Sequence, residues 1–299
     1  MNKGILYGIA AYVFWGVFPL YWKQVHAVGA VEIIGHRIAW SFILLALFLA
    51  LTGQWRGFQR AAFNGPTIGT YAIAAVLLSI NWLIYVWGVN SDFIVETSLG
   101  YFINPLLSVL LGVIFLRERL RQWQWVSVGL AAAGVIYLTF VYGRLPWIAL
   151  SLALTFGLYG LVKKLAPLNS INGLTLETAI LFPVAASYLL VVGLNGTGGF
   201  TRQGALVDVL LVGAGLVTTI PLLLFASATK LAPLSIVGFL QYIASTMQFL
   251  IGVFVYREPF DSARLIGFSM VWLALIIFGV ESYSANRVRA QAVPKLQTS

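Results

Sequence analysis

Long apolar runs separated by short polar segments set the pattern of this chain. Residues 4–22, 61–91, 122–143, 178–201 and 231–256 carry no charged side chain. A run of about 18 or more apolar residues is long enough to cross a bilayer as a helix. The pattern predicts ten such spans, near 4–22, 31–51, 67–89, 95–116, 123–141, 146–162, 174–194, 205–229, 233–256 and 263–280. Lys3 precedes the first run, but no small-residue cleavage site ends it, so a retained helix is expected rather than a signal peptide. Gly4 and Gly8, four residues apart, suit a close helix neighbour, and Pro19 is expected to bend the far end. The segment 195–199, Asn-Gly-Thr-Gly-Gly, reads as a flexible turn.

Composition fixes the solvent. The 299 residues are 60% hydrophobic and only 9% charged. Soluble domains carry about 25% charged residues, so this chain cannot cover itself with a water-facing surface. The expected class is an all-α polytopic membrane protein. The net charge of +9 raises nucleic acid as a partner, but the basic residues lie between apolar spans, where topology and anionic lipid explain them. With the N-terminus inside, the inner segments hold 12 basic residues and the outer ones 5, Arg37 lying within a span. That bias puts both termini in the cytoplasm. The absence of cysteine removes disulfides, thiolate zinc sites and thiol catalysis.

The chain also repeats itself. Residues 99–120 align with 239–260 at a constant offset of 140 (252 − 112), placing Ile103, Gly112, Val113, Arg117 and Glu118 on Ile243, Gly252, Val253, Arg257 and Glu258. Gly16 and Lys23 echo Gly157 and Lys164. Two repeats are expected, 1–143 and 144–283, followed by a polar cytoplasmic tail, 284–299, expected to be disordered. Five spans per repeat is an odd number, so the second repeat enters the membrane inverted, a recurrent construction of secondary transporters.

Polar side chains at helical spacing mark inward faces. Thr97, Tyr101, Asn104, Ser108 and Gly112 form one such face, and Gln241, Ser245, Gln248 and Gly252 form its counterpart. Two readings stand for each residue, an interhelical hydrogen bond or a cavity wall. Pro105 should free a carbonyl near Tyr101. Asn81, Trp82 and Tyr85, with Trp15, Tyr101, Tyr159, Phe239 and Tyr242, would line a pocket for an aromatic or amphipathic solute. The interfacial aromatic belt competes for these residues, and Trp22, Trp55, Trp123 and Trp147 fit it. Charges within spans point to function because their burial is costly. Arg37 and Glu177 are 140 residues apart (177 − 37), and are expected either to pair, or share a cluster with His36, or to reach the interface separately. Glu32 sits where a helix N-terminus favours a carboxylate. Glu96, one turn before the polar face of the fourth span, is a weaker coupling candidate.

No H-E-x-x-H, no carboxylate cluster for a metal and no phosphate-binding loop is present, and the only histidines are His26 and His36. No enzyme activity, cofactor or metal is expected. The expected partners are a small-molecule substrate and the lipid bilayer, with no nucleic acid; a homodimer is left open.

The stretches N-W-L-I-Y-V-W-G-V-N at 81–90, S-L-G-Y-F-I-N-P-L at 98–106, R-E-R-L at 117–120, P-L-L-L-F-A-S-A at 221–228 and G-F-L-Q-Y-I-A at 238–244 resemble the RarD group of the EamA family, in the drug/metabolite transporter superfamily. The resemblance covers nearly the whole chain. It implies a ten-helix inverted-repeat bundle in the bacterial inner membrane, its central cavity built from spans one, three, four, six, eight and nine. On that pattern Trp15, Asn81, Tyr85, Tyr101, Asn104, Tyr159, Gln241 and Tyr242 become cavity residues. Relatives export amino acids and other metabolites, and the RarD name is associated with chloramphenicol sensitivity; the substrate does not transfer with the name. The expected function is secondary export of small amphipathic metabolites, amino acids or drug-like compounds by alternating access. The rival readings are a receptor or scaffold without flux, and a membrane-embedded enzyme.

Overall fold

The fold is described from a computed structural model covering residues 3–90, 94–142, 147–257 and 262–292. Among these residues the chain is helical, without strands. The first half contains α1 (Lys3–Gly16), α2 (Phe18–Trp22), α3 (Ala30–Leu51), the short α4 (Trp55–Ala62), α5 (Gly65–Asn90), α6 (Ile94–Leu116) and α7 (Gln122–Tyr142). The second half contains α8 (Trp147–Leu165), α9 (Ser170–Leu194), α10 (Ala205–Leu231), α11 (Leu234–Leu240), α12 (Tyr242–Leu250) and α13 (Ser262–Ala292). Eight helical segments among the described residues are long and apolar enough to cross a membrane, and two further apolar helices, Gly100–Leu116 and Leu265–Glu281, are shorter. The outer surface is apolar as well, with Phe140 80% exposed, Leu194 78% and Phe254 75%. Such surface is stable against lipid and not against water. The helix α13 runs on to Ala292, so the expected tail begins helical rather than disordered; residues 293–299 lie outside the described part.

Helices pack mainly across the halves. α1 lies against α10 and α12, α3 against α9 and α10, α5 against α8 and α9, α6 against α8 and α11, and α7 against α13. Small residues permit the closest crossings. A Cβ on Gly215 of α10 would lie 2.5 Å from Trp40 Cβ of α3, and the Ser41 hydroxyl bonds the Gly215 carbonyl at 3.1 Å. An added Cβ on Gly4 would lie 2.8 Å from Leu231 and 2.9 Å from Ala232, and one on Gly8 2.8 Å from Leu240, which is the close neighbour that their spacing predicts.

Two prolines free backbone carbonyls within spans, and a further span is divided. A proline removes one helical hydrogen bond and crowds the carbonyl four residues back. For Pro19 that carbonyl is Trp15, where the first span breaks at Val17 between α1 and α2. It is taken by Gln248 Nε2 of α12 at 2.9 Å. For Pro105 the freed carbonyl is Tyr101, which accepts from the Ser245 hydroxyl at 3.3 Å. The ninth span is itself divided at Gln241, between α11 and α12.

Carboxylates secure two loops. After α6 the chain turns at Arg117 (φ 53°), and Glu118 accepts from the Leu234 and Ser235 amides at 2.6 and 2.9 Å, holding the start of α11. An anion belongs at these unpaired N–H groups and at the positive end of the helix dipole. Glu32, in the first turn of α3, binds the amides of Gly199 and Phe200 at 3.0–3.1 Å. Its role therefore exceeds the dipole contact at its own helix, because it anchors the turn that composition reads as flexible.

Candidate functional site

The interrupted helices surround one cavity of about 210 Å³. One wall is aromatic. Tyr12, Trp15, Pro19 and Trp22 fall at spacings of three or four along the first span, with Phe18 beside them, and all line the cavity. Trp15 packs on Phe156 of α8 at 5.8 Å between ring centroids, nearly edge to face. The facing wall comes from α5 and α6, with Asn81, Trp82 and Tyr85 from one and Gly100, Tyr101 and Asn104 from the other. Tyr85 and Tyr101 touch edge to face at 5.8 Å. Gln241, Ala244 and Gln248 close the third side.

Arg37 of α3 supplies the single charge among the described lining residues. Its Nε donates to the Thr218 hydroxyl of α10 at 2.9 Å, and its guanidinium lies 4.2 Å from the Trp82 ring and 4.9 Å from the Trp22 ring. Cation–π contact with two indoles helps to hold the head group in place. Among the described residues no carboxylate meets it. Two amide heads are also unanswered: Asn104 Oδ1 and Gln241 Oε1 are buried without a hydrogen-bond partner. Asn81 differs, since its Nδ2 is spent on the Leu152 carbonyl and the Thr155 hydroxyl of α8, both at 2.9 Å. The interhelical-bond reading thus describes the Asn81 donors, while Asn104 and Gln241 offer free acceptors to the cavity.

Other expected site residues lie elsewhere. Tyr159 and Tyr242 are fully buried and do not line the cavity. The Tyr242 hydroxyl binds the Phe102 carbonyl at 3.1 Å. Tyr159 donates to Glu177 Oε2 at 3.1 Å, while Glu177 Oε1 accepts from Lys163 Nζ at 2.6 Å with both side chains 1% exposed. The expected Arg37–Glu177 pair does not form, because Glu177 meets the lysine of the adjacent α8 and Arg37 turns into the cavity. His36 does not join Arg37 either; it accepts from Trp40 Nε1 at 3.2 Å, lies 3.9 Å from Glu32 and packs on Phe200. The Glu96 side chain lies outside the described residues. Trp22 leaves the interfacial belt for the cavity, whereas Trp123 and Trp147 stay exposed, at 64% and 49%.

The helix ends on one side of the cavity are knitted shut. Lys164 donates to the Ala232 carbonyl at 2.6 Å, and Lys230 donates to the carbonyls of Ala166 (2.8 Å) and Leu168. The Leu168 amide binds the Tyr71 hydroxyl at 3.1 Å, over a cluster formed by Leu49, Phe58, Ala62, Tyr71 and Leu176. The lining residues all lie away from this knot, toward the opposite end that carries Trp22 and Tyr85. Among the described residues no group of His, Asp and Glu is placed to hold a metal ion.

Sequence reasoning overlooked Tyr12, Phe18, Pro19 and Phe156 as lining residues and Thr218 as the partner of Arg37. The run of Tyr12, Trp15, Pro19 and Trp22 on one helical face was the available signal for the first wall. Thr218 carries no such mark.

Residues 2–140 match the EamA-like transporter family. The chain is 48% identical to the uncharacterized transporter YojE of Bacillus subtilis, over 93% of each chain. It is 44% identical to the protein RarD of Streptomyces exfoliatus, over 97% of this chain and 92% of that one, and 40% identical to the protein RarD of Escherichia coli, over 96% and 97%. A solved crystal structure of 18% identity shares the fold with a TM-score of 0.68, covering 92% of this chain and 96% of its own.

Proposed function

Given that the chain belongs to the RarD group of the EamA-like transporter family, we propose that it is a secondary transporter exporting small amphipathic organic solutes. In this reading ten spans form two inverted repeats, and rocking of one repeat against the other exposes the cavity to each side in turn. The helix pairing supports it. Exchanging the halves converts α1–α10 into α8–α5, α3–α10 into α9–α5, and α6–α8 into α11–α1 and α12–α1, while α3–α9, α6–α11 and α7–α13 map onto themselves. Arg117 and Arg257, 140 residues apart, share a left-handed backbone at φ 53° and 54°. Tyr242 bonds Phe102, its own equivalent in the other half.

The carrying observation is the cavity itself: it sits between the two halves, the Asn104 and Gln241 amide oxygens in its wall are unanswered by protein, and the knot closes the helix ends on one side. The charge bias orients the knot toward the cytoplasm of a bacterial inner membrane and both termini with it. The conformation then faces outward, as an exporter does on releasing solute. Counterflow in proteoliposomes tests the proposal. Vesicles preloaded with a transported solute should accumulate its labelled form; binding of a solute with no accumulation would instead indicate a receptor.

A further inference from the structure

We infer that the transported solute is an organic monoanion whose carboxylate is held by Arg37, and that neutral and zwitterionic analogues are discriminated against. The inference rests on the transporter reading and adds its substrate class. Arg37 lies seven residues into α3, roughly 10 Å along the helix from its start. An unpaired cation at such depth is costly unless it is wet or meets an anion. Among the described residues neither the lining nor the ion pairs provide one.

The geometry favours a carboxylate. Thr218 occupies Nε, and the Trp22 and Trp82 rings fix the guanidinium. The Nη edge is left as a rigid two-donor fork that matches the two oxygens of a carboxylate. One positive charge is balanced by a net charge of −1. A zwitterion brings a carboxylate but adds an ammonium, and among the described residues the lining holds no acid to receive it. Asn104 Oδ1 and Gln241 Oε1 instead offer neutral acceptors suited to a hydroxyl or amide N–H. Trp15 and Phe156 provide the surface for a ring. The cavity volume of about 210 Å³ suits a compact solute on the scale of an aryl hydroxy acid.

The test uses the full chain in nanodiscs, with calorimetric titration of 3-phenyllactate, its methyl ester and phenylalanine. The acid should bind at least about tenfold more tightly than the other two, the scale of a lost charge-assisted hydrogen bond. Arg37→Gln should reduce acid binding to the level of the ester, and Arg37→Lys, which keeps the charge without the fork, should recover only part of the preference. Thr218→Val, remote from the solute, should weaken acid binding while preserving its preference over the ester. Equal binding of acid and ester by the unsubstituted protein would overturn the inference, as would an acid preference that survives in Arg37→Gln or an absence of binding by all three. Counterflow separates the two proposals. Acid bound but not exchanged removes the transporter reading, whereas exchange of neutral solutes unaffected by Arg37→Gln removes the carboxylate site alone.

Discussion

The buried pair of Lys163 and Glu177 offers a quantitative test of how the closed end is held. Their contact is 2.6 Å and each side chain is 1% exposed. Removing one partner of such a pair leaves an uncompensated buried charge, at a cost of about 3–5 kcal/mol, whereas replacing both by apolar residues is often neutral or stabilising. The surroundings grade the two single substitutions. In Glu177→Gln the lysine retains the Tyr71 and Tyr159 rings at 5.4 and 5.9 Å, a cation–π contribution on the order of 1 kcal/mol. In Lys163→Met the carboxylate retains the Tyr159 hydroxyl. Each single loss should therefore fall near ~3 kcal/mol, and the double variant Lys163→Met/Glu177→Leu, in which only the Tyr159 hydroxyl loses its acceptor, should cost about 1–3 kcal/mol, well below the sum of the singles. Reversible detergent unfolding in mixed micelles, followed by tryptophan fluorescence, reads all three. Single losses below ~1 kcal/mol, or a double variant as unstable as the sum of the singles, would refute the reasoning.

Three further predictions concern the scaffold. Glu118→Gln weakens two charge-assisted bonds to the start of α11 and should cost about 1–2 kcal/mol by the same titration; no change would show that the cap is idle. Gly215→Ala places a Cβ 2.5 Å from Trp40 Cβ and should cost about 1–3 kcal/mol through overpacking, while an unaltered unfolding midpoint would contradict that crossing. Gln248→Leu strips the donor from the Trp15 carbonyl and should cost about 1–3 kcal/mol, with Pro19→Ala in the same chain recovering part of the loss by restoring the helical N–H; absence of that recovery would sever the proline from the exposed carbonyl.

Much of the scaffold was legible in the sequence because lipid imposes a long apolar run on every span and proline has a fixed local effect. Pro105 predicts a free carbonyl near Tyr101, and the Ser245 hydroxyl meets that carbonyl. The polar faces of the fourth and ninth spans place Asn104 and Gln241 at the cavity for the same reason, since amides are costly against lipid. What fails is inference from equivalence to contact. The offset of 140 relates Arg37 to Glu177, but in the proposed inverted repeat related positions touch only near the internal axis, as Phe102 and Tyr242 would. Away from it each charge takes the nearest suitable group, Thr218 for Arg37 and Lys163 for Glu177. Lys163 reads as a topology residue because it lies in the last turn of its helix, and no local pattern announces that it turns inward. Trp22 resembles an interfacial residue by position alone. The break at Val17 and the short α2 that follows present it instead to Arg37.

Site-directed labelling tests the antiparallel crossing of the two halves most directly. The chain has no cysteine, so a single introduced thiol is the only one to react. Arg119 and Arg257 follow equivalent helices and are both exposed, which makes Arg119→Cys and Arg257→Cys the informative pair. In intact cells a membrane-impermeant maleimide should modify Arg257→Cys, and should reach Arg119→Cys only after permeabilisation. Modification of both from the same face would contradict the inverted arrangement, and with it the alternating cavity.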